Sequence, residues 1–195
     1  MLHFLMQCAV KHKNMLSNYQ EVINFWFNEI NPKQWWEKNP QFDDLICQRF
    51  GNLHKAAVNG ELWAWRSDPL GALAEIILID QFSRNIYRDT PLAFAYDSMA
   101  LVLAQTAHEN KLDLELVPSM RAFLYLPFMH SESALIHKEA VKLFQQAGME
   151  DNLNFELKHK VIIDRFGRYP HRNSILNREL TAEEIAFLQT ENSSF

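Results

Sequence analysis

Between Pro69 and Arg84 the chain is apolar on almost every side, with Leu70, Leu73, Ala74, Ile76, Ile77, Leu78 and Ile79 in close succession. A helix apolar all round offers no face to solvent and belongs at the centre of a bundle. A strand over 76–79 is the competing reading, but a single strand finds no partner elsewhere in the sequence, and one strand alone is not stable. The segment therefore calls for amphipathic helices around it. Val22, Ile23, Trp26, Phe27 and Ile30 recur at helical spacing, with Ser17-Asn18-Tyr19-Gln20 ahead of them as a capping box. Phe42, Leu45, Ile46, Phe50, Leu53 and Ala57 form a second such face, and residues 91–109, 118–129, 132–147 and 152–166 continue the pattern. Thr181-Ala182-Glu183-Glu184 is a further capping box that opens a last short helix.

Proline and glycine fall where helices begin and end. Asn39-Pro40, Asp68-Pro69 and Thr90-Pro91 each pair a capping residue with proline at the first helical position, where a missing N–H costs nothing. Gly60, Gly148 and Gly167 each follow a periodic stretch, as expected of residues that close helices in the left-handed conformation. Pro127 must kink or end the helix that holds it. The expectation is an all-α chain of about eight helices, with residues 19–195 as one domain and residues 1–18 as an extension. Met15 is an alternative start. The five tryptophans, Trp26, Trp35, Trp36, Trp63 and Trp65, read mainly as core.

Charge and cysteine content narrow the function classes. The net charge of -5 argues against a nucleic-acid binder. No apolar run approaches the ~20 residues that span a bilayer, and the start lacks the basic region of a secretory signal. Cys8 and Cys47 are too few for a disulfide framework, so a cytoplasmic protein with reduced thiols is expected, Cys47 acting as a small buried hydrophobe. Phosphate-loop, dinucleotide and zinc-protease motifs do not occur. No cofactor is expected. Asp80, His130, Glu132, His159 and His171 match no metal-ligand spacing, so no metal is expected either.

Three polar clusters interrupt the apolar pattern. Asp80-Gln81-Phe82-Ser83-Arg84-Asn85 ends the most apolar helix, and Asp80 and Arg84 share a face four residues apart. A carboxylate directly after Ile76-Ile77-Leu78-Ile79 risks burial and needs a partner. A structural ion pair and a functional site both satisfy that need. The second cluster, Leu126-Pro127-Phe128-Met129-His130-Ser131-Glu132, puts polar groups at a helix–helix corner, where Ser131 or Ser133 is placed to cap the next helix. The third is Arg165-Phe166-Gly167-Arg168-Tyr169-Pro170-His171-Arg172-Asn173. From 155 to 178 the chain carries six Lys or Arg and two acids, a local surplus of four positive charges. A planar guanidinium suits carboxylate or phosphate, and a solvated basic loop is the plainer alternative.

These three motifs, in this order, with Val22-Ile23-Asn24-Phe25-Trp26-Phe27 before them and Thr181-Ala182-Glu183-Glu184 after, resemble the bacterial and fungal family catalogued as domain of unknown function 924. The resemblance covers roughly residues 20–195. It departs at Ser83, where the family usually has Pro, and at Tyr169, often Phe. It implies a tetratricopeptide-repeat-like array of antiparallel helix pairs and carries no settled activity. The residues themselves suggest a pocket for a small anionic molecule, held by Arg84, Asn85, Arg165, Arg168 and Arg172. Asp80, His130 and His171 are the candidates for proton transfer. The alternative is an interaction module that binds an acidic peptide or carboxylate in a helical groove. An enclosed cavity of a few hundred Å³ would favour the small molecule.

Overall fold

The computed structural model describes residues 19–191 and Ser193. The expected extension over 1–18, the alternative start at Met15, and Ser17 of the first capping box lie outside the described residues. Those residues form eight α-helices and no strand: α1 (Tyr19–Asn24), α2 (Pro40–Val58), α3 (Pro69–Ile86), α4 (Asp97–Glu109), α5 (Pro118–Met129), α6 (Ala134–Phe144), α7 (Glu150–Phe166) and α8 (Ala182–Leu188). Short 3₁₀ turns link most of them. Each helix from α2 to α6 packs on the next, and α3 also touches α1 and α5.

The all-apolar segment is the central helix. Every residue of α3 from Gly71 to Ser83 is buried, so the strand alternative over 76–79 is excluded. Its entry follows the expected cap, with the Asp68 carboxylate accepting the N–H groups of Leu70 and Gly71 at 2.9 and 3.0 Å. Asn39 caps α2 in the same way through the Phe42 N–H. Phe82 meets Trp26, Phe50 and Phe25 with ring centroids 5.3, 5.1 and 6.1 Å apart, and Phe123 adds its edge to Trp26 at 5.8 Å. This aromatic cluster ties the turn that follows α1 to α2, α3 and α5.

Local structure departs from expectation in several places. α1 runs into a π-helical turn over Phe25–Glu29. Phe25 and Trp26 in this turn are both buried. Thr90-Pro91 opens only a 3₁₀ turn without a side-chain cap, and the helix begins at Asp97 instead. Ser133 takes the N-cap position of α6 without capping it, while Ser131 accepts the Ser133 N–H. Pro127 does not stop α5, which continues to Met129 and closes with the His130 N–H on the Leu126 carbonyl at 2.9 Å. Cys47 is a free, exposed thiol, because the α2 core stripe runs through Phe42, Ile46, Phe50 and Leu53 and leaves position 47 outside. Trp36 and Trp63 are exposed as well, whereas Trp26 and Trp65 are core. Among the described residues no helix is long and apolar enough to cross a membrane.

Candidate functional site

The last turns of α3 carry polar groups into the interior. Asp80 is fully buried, and its carboxylate is held from three sides: the His130 Nδ1 lies 2.8 Å from Oδ1, the Gln81 amide donates to Oδ2 at 2.5 Å, and Arg84 lies 3.6 Å away. Burial alone would raise the Asp80 carboxyl, but the charges of His130 and Arg84 and the hydrogen bonds from His130 and Gln81 hold it well below the usual carboxylate range. Burial, with the nearby Arg84, pulls the His130 imidazole down against the opposing pull of Asp80. Burial thus favours the neutral imidazole, and because the Asp80 carboxylate can only accept, that neutral ring carries its proton on Nδ1 and donates it to Asp80. Its Nε2 is left with a lone pair and no hydrogen bond among the described residues.

Arg84 grips the carboxylate of Asp97, the first residue of α4, with both terminal nitrogens at 3.1 and 3.2 Å. Arg172 reaches the same carboxylate at 3.2 Å from the far end of the chain. The Arg172 guanidinium lies between the rings of Phe94 and Tyr169, 4.7 and 4.5 Å from their centroids. It is 6% exposed, and its Nε has no hydrogen-bond partner among the described residues.

The segment after α7 brings Arg172 there. Gly167 closes α7 with φ of 66°, its N–H on the Ile163 carbonyl at 2.8 Å, and the chain turns back on itself. Tyr169 is then buried, and its hydroxyl donates to the Met129 carbonyl at 2.6 Å, satisfying an open end of α5. Its backbone N–H donates to Glu132, which also takes both terminal nitrogens of Arg178. These contacts hold the Glu132 carboxyl down despite partial burial. A histidine group surrounds the Tyr169 ring: His171, His159 and His137 lie 5.6, 5.7 and 6.3 Å away by ring centroid. Burial pushes His171 down to about 4 and His159 to about 3. His137 spans Glu156 at 2.7 Å and the Ser131 carbonyl at 2.8 Å.

These elements border a half-open cleft of about 260 Å³. Arg172, His130, Ser131, Glu132, Asp97 and Ser98 supply its polar wall, and Phe94, Leu101 and Leu176 supply apolar surface. That composition is typical of small-molecule sites, which combine apolar walls with a few placed polar groups.

The three sequence motifs thus meet, though not through every expected residue. Asp80, Arg84, His130 and Arg172 form one connected network, and His171 packs beside it on Tyr169. Asn85 faces the other way, donating to Asp43 at 2.8 Å beside the Arg88–Asp43 pair. Arg165 is exposed and pairs with Glu183, and Arg168 pairs with Glu184 and the Glu179 carbonyl. The Arg168 hydrogen bonds hold the Glu184 carboxyl down to about 2. The local positive surplus is neutralised by acids from elsewhere in the chain, namely Asp97, Glu132, Glu183 and Glu184. Asp97 escaped the sequence reading because the helix there was expected to begin at Pro91, which makes position 97 an ordinary surface site. Among the described residues no group of three or more His, Cys, Asp or Glu is arranged to hold a metal ion.

Fold and cavity together define an all-α protein whose widely spaced polar motifs converge on one small chamber. The sequence profile of a family described as "Bacterial protein of unknown function (DUF924)" matches residues 22–192, and the chain belongs to that family. The solved structure of a protein of unknown function from Agrobacterium tumefaciens, ATU0120, is similar to it. The two share 36% identity and a TM-score of 0.83, over 88% of this chain and 96% of that one. No curated protein matches the chain.

Proposed function

We propose that the protein binds a small anionic molecule in the cavity between the start of α4, the α5–α6 corner and residues 169–178. The observation that carries this reading is Arg172: a cavity-lining guanidinium, nearly fully buried, with an N–H that none of the described residues accepts. An unpaired buried donor costs about 1–3 kcal/mol, and because Nε itself has almost no accessible surface, an anion in the cleft would recover it through a small shift of the guanidinium. Arg84 supports Arg172 through their shared Asp97, and His130 presents Nε2. Should the bound molecule react, Asp80 and His130 have the arrangement of a general base, a carboxylate orienting an imidazole. Asn85, Arg165 and Arg168 contribute to the frame and not to the ligand. The small volume of the cleft supports a small molecule, and its open side leaves room for the end of an acidic peptide as the second reading. The exposed free thiol of Cys47 fits a reducing cytoplasmic setting.

The test is thermal unfolding with sulfate, phosphate or a dicarboxylate against chloride at equal ionic strength. Stabilisation is expected, reaching roughly 2.7 kcal/mol at a hundred times the dissociation constant. Arg172→Gln should abolish it. Because Arg172 also braces Asp97, Ser98→Phe serves as a second variant that fills the chamber from an exposed position. A wild type that responds to no anion more than to chloride, or a Ser98→Phe variant that responds fully, overturns the proposal.

A further inference from the structure

Charge in and around the cavity is balanced before any ligand arrives. Asp80, Asp97 and Glu132 are matched by Arg84, Arg172 and Arg178. A bare anion would leave one uncompensated charge in a largely buried site, which is costly.

The hydrogen-bond inventory sharpens the problem. Asp97 already accepts three guanidinium N–H groups, and Glu132 accepts two from Arg178 and one from the Tyr169 backbone. Neither carboxylate has a shortfall that a ligand ammonium would fill. On the donor side, the Arg172 Nε–H is unused among the described residues. On the acceptor side, His130 Nε2 lines the chamber with a lone pair, because Asp80 fixes the Nδ1–H tautomer. An anion drawn to Arg172 therefore brings its own lone pairs against that of Nε2. A proton between them turns this repulsion into a charge-assisted hydrogen bond and offsets one unit of the added negative charge.

We propose that anion binding in this cavity is coupled to the uptake of one proton, shared between His130 Nε2 and the anion. The idea rests on the reading that the cavity takes an anion. Whether the proton arrives on the ligand or from solvent, the balance is the same: a monoanion plus one proton gives a bound, neutral assembly, and a dianion such as sulfate plus one proton leaves a single negative charge beside Arg172.

The groups that face His130 favour this assignment over the other histidines. From α3 it feels Asp80 and Arg84, and from α4 Asp97. Glu132 and Arg172 share its chamber, and His159 of α7 lies close enough to feel its charge, as it does those of His137 and His171. Of these, Asp80 makes the direct hydrogen bond and stabilises an imidazolium at position 130. His171 has Arg172 as its strongest charged neighbour, which opposes protonation there. His137 already uses both ring nitrogens.

The experiment is calorimetric titration of the full chain with sulfate, which carries no proton of its own near neutral pH. It is run at pH 7.5 in two buffers of different ionisation heat, and repeated across pH 6.5–8.5. About one proton should be taken up per sulfate, and above neutrality affinity should fall about tenfold per pH unit. His130→Gln puts a permanent N–H donor in place of Nε2, so it should bind sulfate with no proton uptake and no such pH dependence. If that variant does not fold, the two-buffer result on the wild type decides alone. Sulfate bound without proton uptake overturns the coupling and leaves the anion pocket standing. Undiminished uptake in a folded His130→Gln variant overturns the assignment to His130. No binding of sulfate at any pH overturns the pocket and the coupling together.

Discussion

The molecule is held together in two different ways. Around α3 the interior is aromatic and aliphatic, with Trp26, Phe25, Phe50 and Phe82 each 1% exposed or less. From the last turns of α7 onward only Ile162, Ile163 and Tyr169, flanked by Phe166 and Phe187, form a small separate apolar cluster among the described residues. The chain from Arg165 onward is fastened instead by Arg168–Glu184, Arg172–Asp97, Arg178–Glu132 and the Tyr169 hydroxyl. Apolar burial stabilises without direction, whereas these charge-assisted bonds fix geometry at modest net gain. The frame therefore supplies the stability, and the C-terminal clasp sets the positions of the groups that wall the cavity.

Phe82→Ala strikes the frame and should have the largest effect. Removing a ring packed against three aromatic neighbours should cost about 3–5 kcal/mol in urea unfolding, with the whole chain affected. A loss confined to the C-terminal segment would erase the distinction between the two regions.

Acid should separate the regions next. Unfolded histidines take up a proton near pH 6.5. Burial delays this in the folded chain to about 4 for His54 and His171, and to about 3 for His159. Between these limits the unfolded state binds more protons, so stability falls as pH falls. The slope is about 1.4 kcal/mol per pH unit for each histidine. Glu156, pushed up by burial, works in the opposite direction for one carboxyl. Two of the three histidines touch Tyr169, so hydrogen exchange at pH 5 should show residues 168–188 losing protection before α3. Simultaneous loss would contradict this.

Backbone strain comes third. No neighbour would meet a Cβ at Gly167, but its φ of 66° is disfavoured for any other residue. Gly167→Val should cost about 1 kcal/mol or more, read as a lower melting temperature. Arg165→Ala comes last. Its pair with Glu183 is exposed at both ends, so the change should stay within about 0.5 kcal/mol and leave anion stabilisation unaltered.

What could be read from the sequence follows from how local each signal is. The Asp68-Pro69 and Asn39-Pro40 caps and the Thr181–Glu184 box involve groups two or three residues apart, and all three form as spelled. The centrality of α3 was legible because no solvent face exists on that helix. Partner choice was not legible. Arg172 and Asp97 are 75 residues apart, and a tally of charge over 155–178 omits the acids that fold onto it. The π-turn at Phe25 was equally hidden, since no capping side chain marks it. The network around Asp80 lay between these extremes. Its burial followed from the apolar helix, but its use of His130 required knowing that the α5–α6 corner meets the end of α3.

A crystal structure grown in sulfate tests the central claim most directly, because the surface arginines and the chamber compete for the same ion. The predicted result is a sulfate inside the cavity, with oxygens in hydrogen-bond reach of the Arg172 guanidinium and of His130 Nε2. Sulfate on Arg165 and Arg168 at the surface, with the chamber holding only water, would contradict it.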